Sequence, residues 1–138
     1  MTEALNFFLD DEHVLKVTEN PDEGIDYIFM LERLEWEIIE NEWHRRPEEW
    51  KSGITYLLGF CSLDSNKDML FLAITDKSEN IYEEGLLSLY HSITEETEML
   101  PNRLSLKEKN IVFNQLNKTS KKFRAFPEYK ELVKLMTE

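Results

Sequence analysis

Between residues 48 and 93, apolar and small residues recur at i, i+3, i+4, i+7, i+8 and i+11, and the same pattern occurs twice. A shift of 32 positions lays Trp50 on Tyr82, Gly53 on Gly85, Ile54 on Leu86, Leu57 on Leu89, Leu58 on Tyr90 and Cys61 on Ile93. This spacing marks one face of an α-helix. It predicts helices over 48–62 and 79–94, with a short apolar helix over 68–75 between them, the three running antiparallel in succession. Asp64, Ser65 and Asn66 are read as the end of the first helix, Asp68 as the cap of the second, and Thr75 to Ser78 as a further turn. The matching glycines predict close helix–helix approach. The rival is a β-hairpin of strands 54–61 and 69–75. The runs contain few β-branched residues and much Leu and Met, which favours helix.

The rest of the chain reads the same way. Residues 3–9 form a short apolar helix, and a second segment centres on Val14, Leu15 and Val17. Asn20 to Gly24 is a turn, because Pro21 cannot sit inside a helix and Gly24 suits a cap. Residues 25–43 form the longest periodic stretch before the repeat and predict one helix. His44, Arg45 and Arg46 complement the negative end of its dipole, and Pro47 opens the next helix. A turn is expected at Pro101 and Asn102. Ser105 and Glu108 make a capping box, residues 117–124 a basic link, and Pro127 the start of a last helix.

A helical unit that repeats at this length points to a solenoid. The order of helix, Asp-containing turn, short apolar helix, Asp-containing turn and helix resembles the HEAT-like repeats of small bacterial proteins. Their consensus carries Leu-Gly near the end of the first helix, as Leu58 and Gly59 do here. The resemblance covers about a third of the chain. It implies an all-α, HEAT-like antiparallel helical-hairpin solenoid over a single domain, residues 1–138. It says almost nothing about chemistry, because such scaffolds mostly bind other macromolecules.

Composition narrows the partner. With 138 residues, the chain is expected to fold as one domain without staples. Its formal charge is −12, distributed as −11 over residues 1–50, −6 over 51–100 and +5 over 101–138. The first hundred residues would repel nucleic acid, and they favour a basic protein. Plain solubility is the simpler explanation of the same charge. The opening MTEALNFFLDDE has acids where a signal peptide needs Lys or Arg, so a cytoplasmic protein is expected. No apolar run reaches the ~18 residues of a membrane span.

Catalytic motifs are missing. No HExxH, G-x-S-x-G, phosphate-binding loop or G-x-G-x-x-G occurs. Glu40 and His44 have metal-ligand spacing, but a solvated glutamate and a helix-end histidine explain them better. Cys61, the only cysteine, lies on an apolar face and reads as a small buried hydrophobe. Trp36, Trp43 and Trp50 stand seven apart among acids. They read either as the seal between this helix and the repeat, or as an aromatic anchor for a basic partner.

The expectation is therefore a non-catalytic protein-binding module with no cofactor or metal. Its binding surface would be acidic and drawn from Glu35, Glu37, Glu40, Glu42, Glu48, Glu49, Glu83 and Glu84. The segment Trp43-His44-Arg45-Arg46-Pro47-Glu48-Glu49 resembles one carried by some helical immunity families, which implies a protein that neutralises a secreted bacterial toxin. A scaffold or regulatory subunit of a cytosolic complex is the first alternative, and an unrecognised enzyme the second.

Overall fold

The computed structural model describes residues 2–61, 63–94 and 104–137, and the backbone alone of residues 64 and 65. The described chain is all-helical. Its elements are α1 (Glu3–Leu9), α2 (Asp11–Leu15), α3 (Asp22–Ile28), α4 (Arg33–Glu42), a 3-10 turn (Trp43–Arg45), α5 (Glu48–Leu58), α6 (Leu63–Ile74), α7 (Glu79–Thr94), α8 (Leu106–Leu116), α9 (Lys121–Arg124) and α10 (Pro127–Thr137). No strand occurs among the described residues, so 54–61 and 69–75 are not a hairpin.

Side chains satisfy the free amides at several helix starts. Thr2 Oγ1 accepts from Leu5 N, and Asp10 Oδ1 accepts from Glu12 N. The predicted capping box is present, with Glu108 N on Ser105 Oγ and Ser105 N on Glu108 Oε1. Pro127 begins α10 as expected.

Helix α7 is the centre of the packing and lies against both α5 and α6. Helix α5 also meets α2 and α3, while α1 is covered by α2, α3 and α4. Helices α8 and α10 pack on each other and on α7. One continuous core results. Trp50, Ile54, Leu57, Leu58, Leu86 and Leu89 are all buried in it, and so are Gly53, Cys61, Tyr82, Gly85 and Ile93. Of the matched positions only Tyr90 is half-buried. Burial pushes the Cys61 thiol up to about 12.

The glycines do what their spacing suggested. A Cβ on Gly53 would lie 2.5 Å from the Val14 carbonyl oxygen and 2.7 Å from Val14 Cγ1, so α2 rests directly on α5 there. A Cβ on Gly85 would lie 3.0 Å from the Ile74 nitrogen. Gly53→Ala gains about 1 kcal/mol of helix propensity but overpacks against backbone, which costs about 1–3 kcal/mol. Net destabilisation is expected in a urea melt. A more stable variant would show that α2 yields at this contact.

Several boundaries differ from expectation, and residues 121–124, read as part of a basic link, form α9. Helix α5 ends at Leu58, and α6 begins at Leu63 and runs through the Asp64-Ser65-Asn66 segment read as a turn. Asn66 Nδ2 donates to Leu58 O at 3.0 Å, and Ser92 Oγ donates to the same oxygen at 3.1 Å. Tertiary bonds thus satisfy the free end of α5 while the helix resumes. The stretch 25–43 is not one helix. The chain leaves helical geometry at residues 29–32, and Glu32 with Glu35 forms a capping box that starts α4 anew. Asp22, Glu23 and Gly24 lie inside α3, so the turn ends at Pro21. The turn predicted at Pro101 and Asn102 lies outside the described residues.

Candidate acidic groove

The N-terminal halves of α5 and α7 carry carboxylates for a shared reason. Acids in a first helical turn meet the positive end of the dipole. Glu48 and Glu49 occupy that turn of α5, and Glu79 that of α7. Glu83 and Glu84 follow one turn later on α7. Ser78 Oγ donates to Glu48 Oε1 at 2.5 Å and Ser52 Oγ to Glu84 Oε2 at 2.7 Å, so serines join the two helices. Glu83 Oε2 accepts the backbone amide of Ser120 at 2.8 Å and so anchors the start of α9.

These residues border two adjoining recesses. The larger, about 820 Å³, lies between α5, α7 and α9. Glu79, Glu83 and Glu84 supply its acids, and Tyr56, Phe60, Phe123 and Phe126 its aromatic surface. Lys122 adds one cation to the rim. The smaller recess has Glu48, Glu49 and again Glu84 around it. Burial raises the Glu84 carboxyl above the usual carboxylate range, and the Ser52 hydrogen bond opposes the shift. Tyr82, beneath the acids, donates its hydroxyl to Lys118 O at 3.0 Å. Its phenol is raised by burial and by the charges of Glu79 and Glu83.

The eight glutamates read from the sequence do not share one face. Glu48, Glu49, Glu83 and Glu84 meet at these recesses. Glu37 and Glu40 border a different pocket with Trp36, Asn66 and Asp68. There burial, Asp68 and Glu37 push the Glu40 carboxyl up. Glu35 turns inward and is only 9% exposed. It accepts from the Thr2 hydroxyl and from Glu32 N, and these two bonds hold its carboxyl below the usual range. Glu42 is engaged by Arg45 and Arg46.

Three further acids away from the recesses are paired. Asp11 meets Arg46 at 2.6 Å, Asp76 meets Lys51 at 3.0 Å and Glu108 meets Lys67 at 2.8 Å. By contrast, no ion pair forms at Glu48, Glu49, Glu79, Glu83 or Glu84 among the described residues. The aromatic-anchor reading fails for two tryptophans, since Trp43 and Trp50 are both 0% exposed. Their rings pack edge to face at 6.1 Å in the core. The aromatics at the groove come instead from α9, its flank and the end of α5, where the sequence showed only a basic link and a helix terminus. Phe123 inside the basic run NKTSKKFR was the one visible hint.

Among the described residues, no helix is long and apolar enough to cross a membrane. Fold and recesses together define an all-α protein with an acidic, aromatic-lined groove. Compared with protein-family models, curated proteins and solved structures, the chain matches none.

Proposed function

We propose that the protein is a non-catalytic binding module for a basic protein, and specifically an immunity protein that occupies the basic surface of a bacterial toxin domain in the cytoplasm. The observation that carries this reading is the set of five carboxylates at the α5–α7 recesses. They make no ion pair among the described residues, whereas Asp11, Glu42, Asp76 and Glu108 elsewhere each meet an Arg or Lys. A partner's Lys and Arg would supply those charges, and Tyr56, Phe60 and Phe126 would receive their aliphatic stems or guanidinium planes. The frame is read as HEAT-like. Helices α5 and α7 would be equivalent members of successive units, a reading supported by the shared burial of their matched positions and their extensive mutual packing.

Affinity capture from producing cells tests the reading. The expected product is one basic protein, retained at low salt and released as salt rises. Glu48→Lys, Glu49→Lys and Glu79→Lys combined alter only exposed side chains. They should slow association by roughly tenfold or more at low salt. Reversal of Glu23 and Glu131, exposed and lining neither recess, should change it far less. Binding that ignores both salt and the α5–α7 reversals would sink the proposal. Binding lost on removing Lys118, Lys121 and Lys122 instead would assign the surface to an acidic partner.

A further inference from the structure

Asn66 holds an unused acceptor. The residue is only 3% exposed, and its Nδ2 donates to Leu58 O. Its Oδ1 receives no hydrogen bond, and no other buried side-chain nitrogen or oxygen among the described residues is left in that state. A buried acceptor without a donor is costly to keep, so it points to a donor from outside the chain. Asn66 lines the recess of about 620 Å³ between α4 and the start of α6, which is the open side from which such a donor can arrive.

The same recess gathers negative charge that the chain leaves unbalanced. Glu37 and Glu40 lie one turn apart on α4, and Asp68 joins them from α6. Arg33 and Lys67 are the cations of the lining, and each has a partner, Glu37 at 3.9 Å and Glu108 at 2.8 Å. Glu40 and Asp68 form no ion pair among the described residues. Their nearness is felt at the Glu40 carboxyl, which burial, Asp68 and Glu37 push up. Trp36, half-buried, adds an indole ring to the wall. Among the described residues, no three His, Cys, Asp or Glu side chains stand close enough to hold one metal ion. Acceptors set that far apart suit a broader cation with several N–H groups. A guanidinium is planar, carries five donors and stacks on aromatic faces.

We infer that the α4–α6 recess is a guanidinium site. Glu40 and Asp68 supply the countercharge, Asn66 Oδ1 accepts one N–H, and the Trp36 ring lies against the plane of the cation. A water would satisfy Asn66 but bring no charge to Glu40 and Asp68. The site shares no lining residue with the two recesses at α5 and α7. The guanidinium can belong to a free arginine-like molecule or to an arginine within a bound protein, and both present the same group.

Magnetic resonance of the isotope-labelled full chain, titrated with N-acetyl-arginine amide, tests this. Saturable shifts of the Trp36 indole and Asn66 side-chain amide signals are expected, with a Kd at or below about 1 mM. The citrulline counterpart has the same shape and no charge, so it should bind at least about tenfold more weakly. Glu40→Gln with Asp68→Asn should weaken binding by at least about tenfold with the circular dichroism unchanged, since neither side chain is buried. Glu48→Gln with Glu79→Gln, at the α5–α7 groove, should leave it as it was. L-Arginine beside the capped amide separates the two sources of the group. Tighter binding of the free amino acid assigns the site to a small molecule, and equal or weaker binding assigns it to an arginine within a protein. An absence of saturable shifts up to about 10 mM overturns the inference. So does equal affinity for the citrulline amide, or binding that survives Glu40→Gln with Asp68→Asn and is lost with Glu48→Gln and Glu79→Gln.

Discussion

Trp50→Ala is expected to destabilise the fold by about 3–5 kcal/mol, a large share of the ~5–15 kcal/mol that holds a domain of this size. Trp50 is fully buried, and its ring contributes on three sides. Nε1 donates to Phe8 O at 2.8 Å and so ties α5 to α1. The Trp43 ring packs edge to face against it, and the Arg46 guanidinium lies 5.2 Å from its centroid. Truncation leaves a cavity and strips the Phe8 carbonyl of its donor. It also removes the apolar floor beneath Arg46, which bridges Glu42, Asp11 and Leu9 O. Trp50→Phe keeps most of the area and loses only the donor, so it should cost less, about 1–3 kcal/mol. Urea melts followed by circular dichroism give both values. A cost below about 1 kcal/mol for Trp50→Ala would mean that α1 is held to α5 by other contacts.

Much of the fold was legible because local pattern and tertiary packing agree at α5, α7, α8 and α10. The 3.6-residue periodicity located the faces, and Gly53 and Gly85 located the close approaches. Legibility failed where a distant group decided the outcome. Nothing local in Leu63 to Asp68 shows that Asn66 will bond the carbonyl of Leu58, so its turn-forming residues misled. The break before α4 depends on Glu32 acting as a cap, a role that Ser, Thr, Asp and Asn fill far more often. The candidate groove was half legible. Charge singled out Glu48, Glu49, Glu83 and Glu84, but the sequence cannot separate them from Glu35 and Glu42, whose carboxylates Thr2, Arg45 and Arg46 engage. The aromatic wall was hidden because Phe60 and Phe123 lie 63 positions apart and meet only in three dimensions.

Asp76→Ala should be nearly as damaging, at about 3 kcal/mol. The residue looked like an ordinary turn former between α6 and α7, yet its carboxylate collects three donors from three parts of the chain. Trp43 Nε1 and Lys51 Nζ each lie 3.0 Å from Oδ1, and Ser78 N lies 3.0 Å from Oδ2. Its side chain is only 7% exposed, and that of Lys51 only 15%. Removing the carboxylate leaves a half-buried ammonium and an indole N–H without their acceptor, the costly way to break such a pair. Asp76→Asn keeps an acceptor and loses the charge, so its cost should be smaller and should depend on pH. Burial alone would raise the Asp76 carboxyl, but the bonds from Ser78, Lys51 and Trp43 outweigh it and hold it below the usual carboxylate range. A depressed folded-state pKa stabilises fully above the unfolded value, about 3.9. That stabilisation is lost as pH falls through the folded value. The gap between wild type and Asp76→Asn should therefore be constant from neutral pH down to about pH 5 and close below about pH 4. Melts of both proteins across that range measure it. A gap that persists unchanged to about pH 2 would show that shape at this position, rather than charge, joins Trp43, α5 and the α6–α7 link.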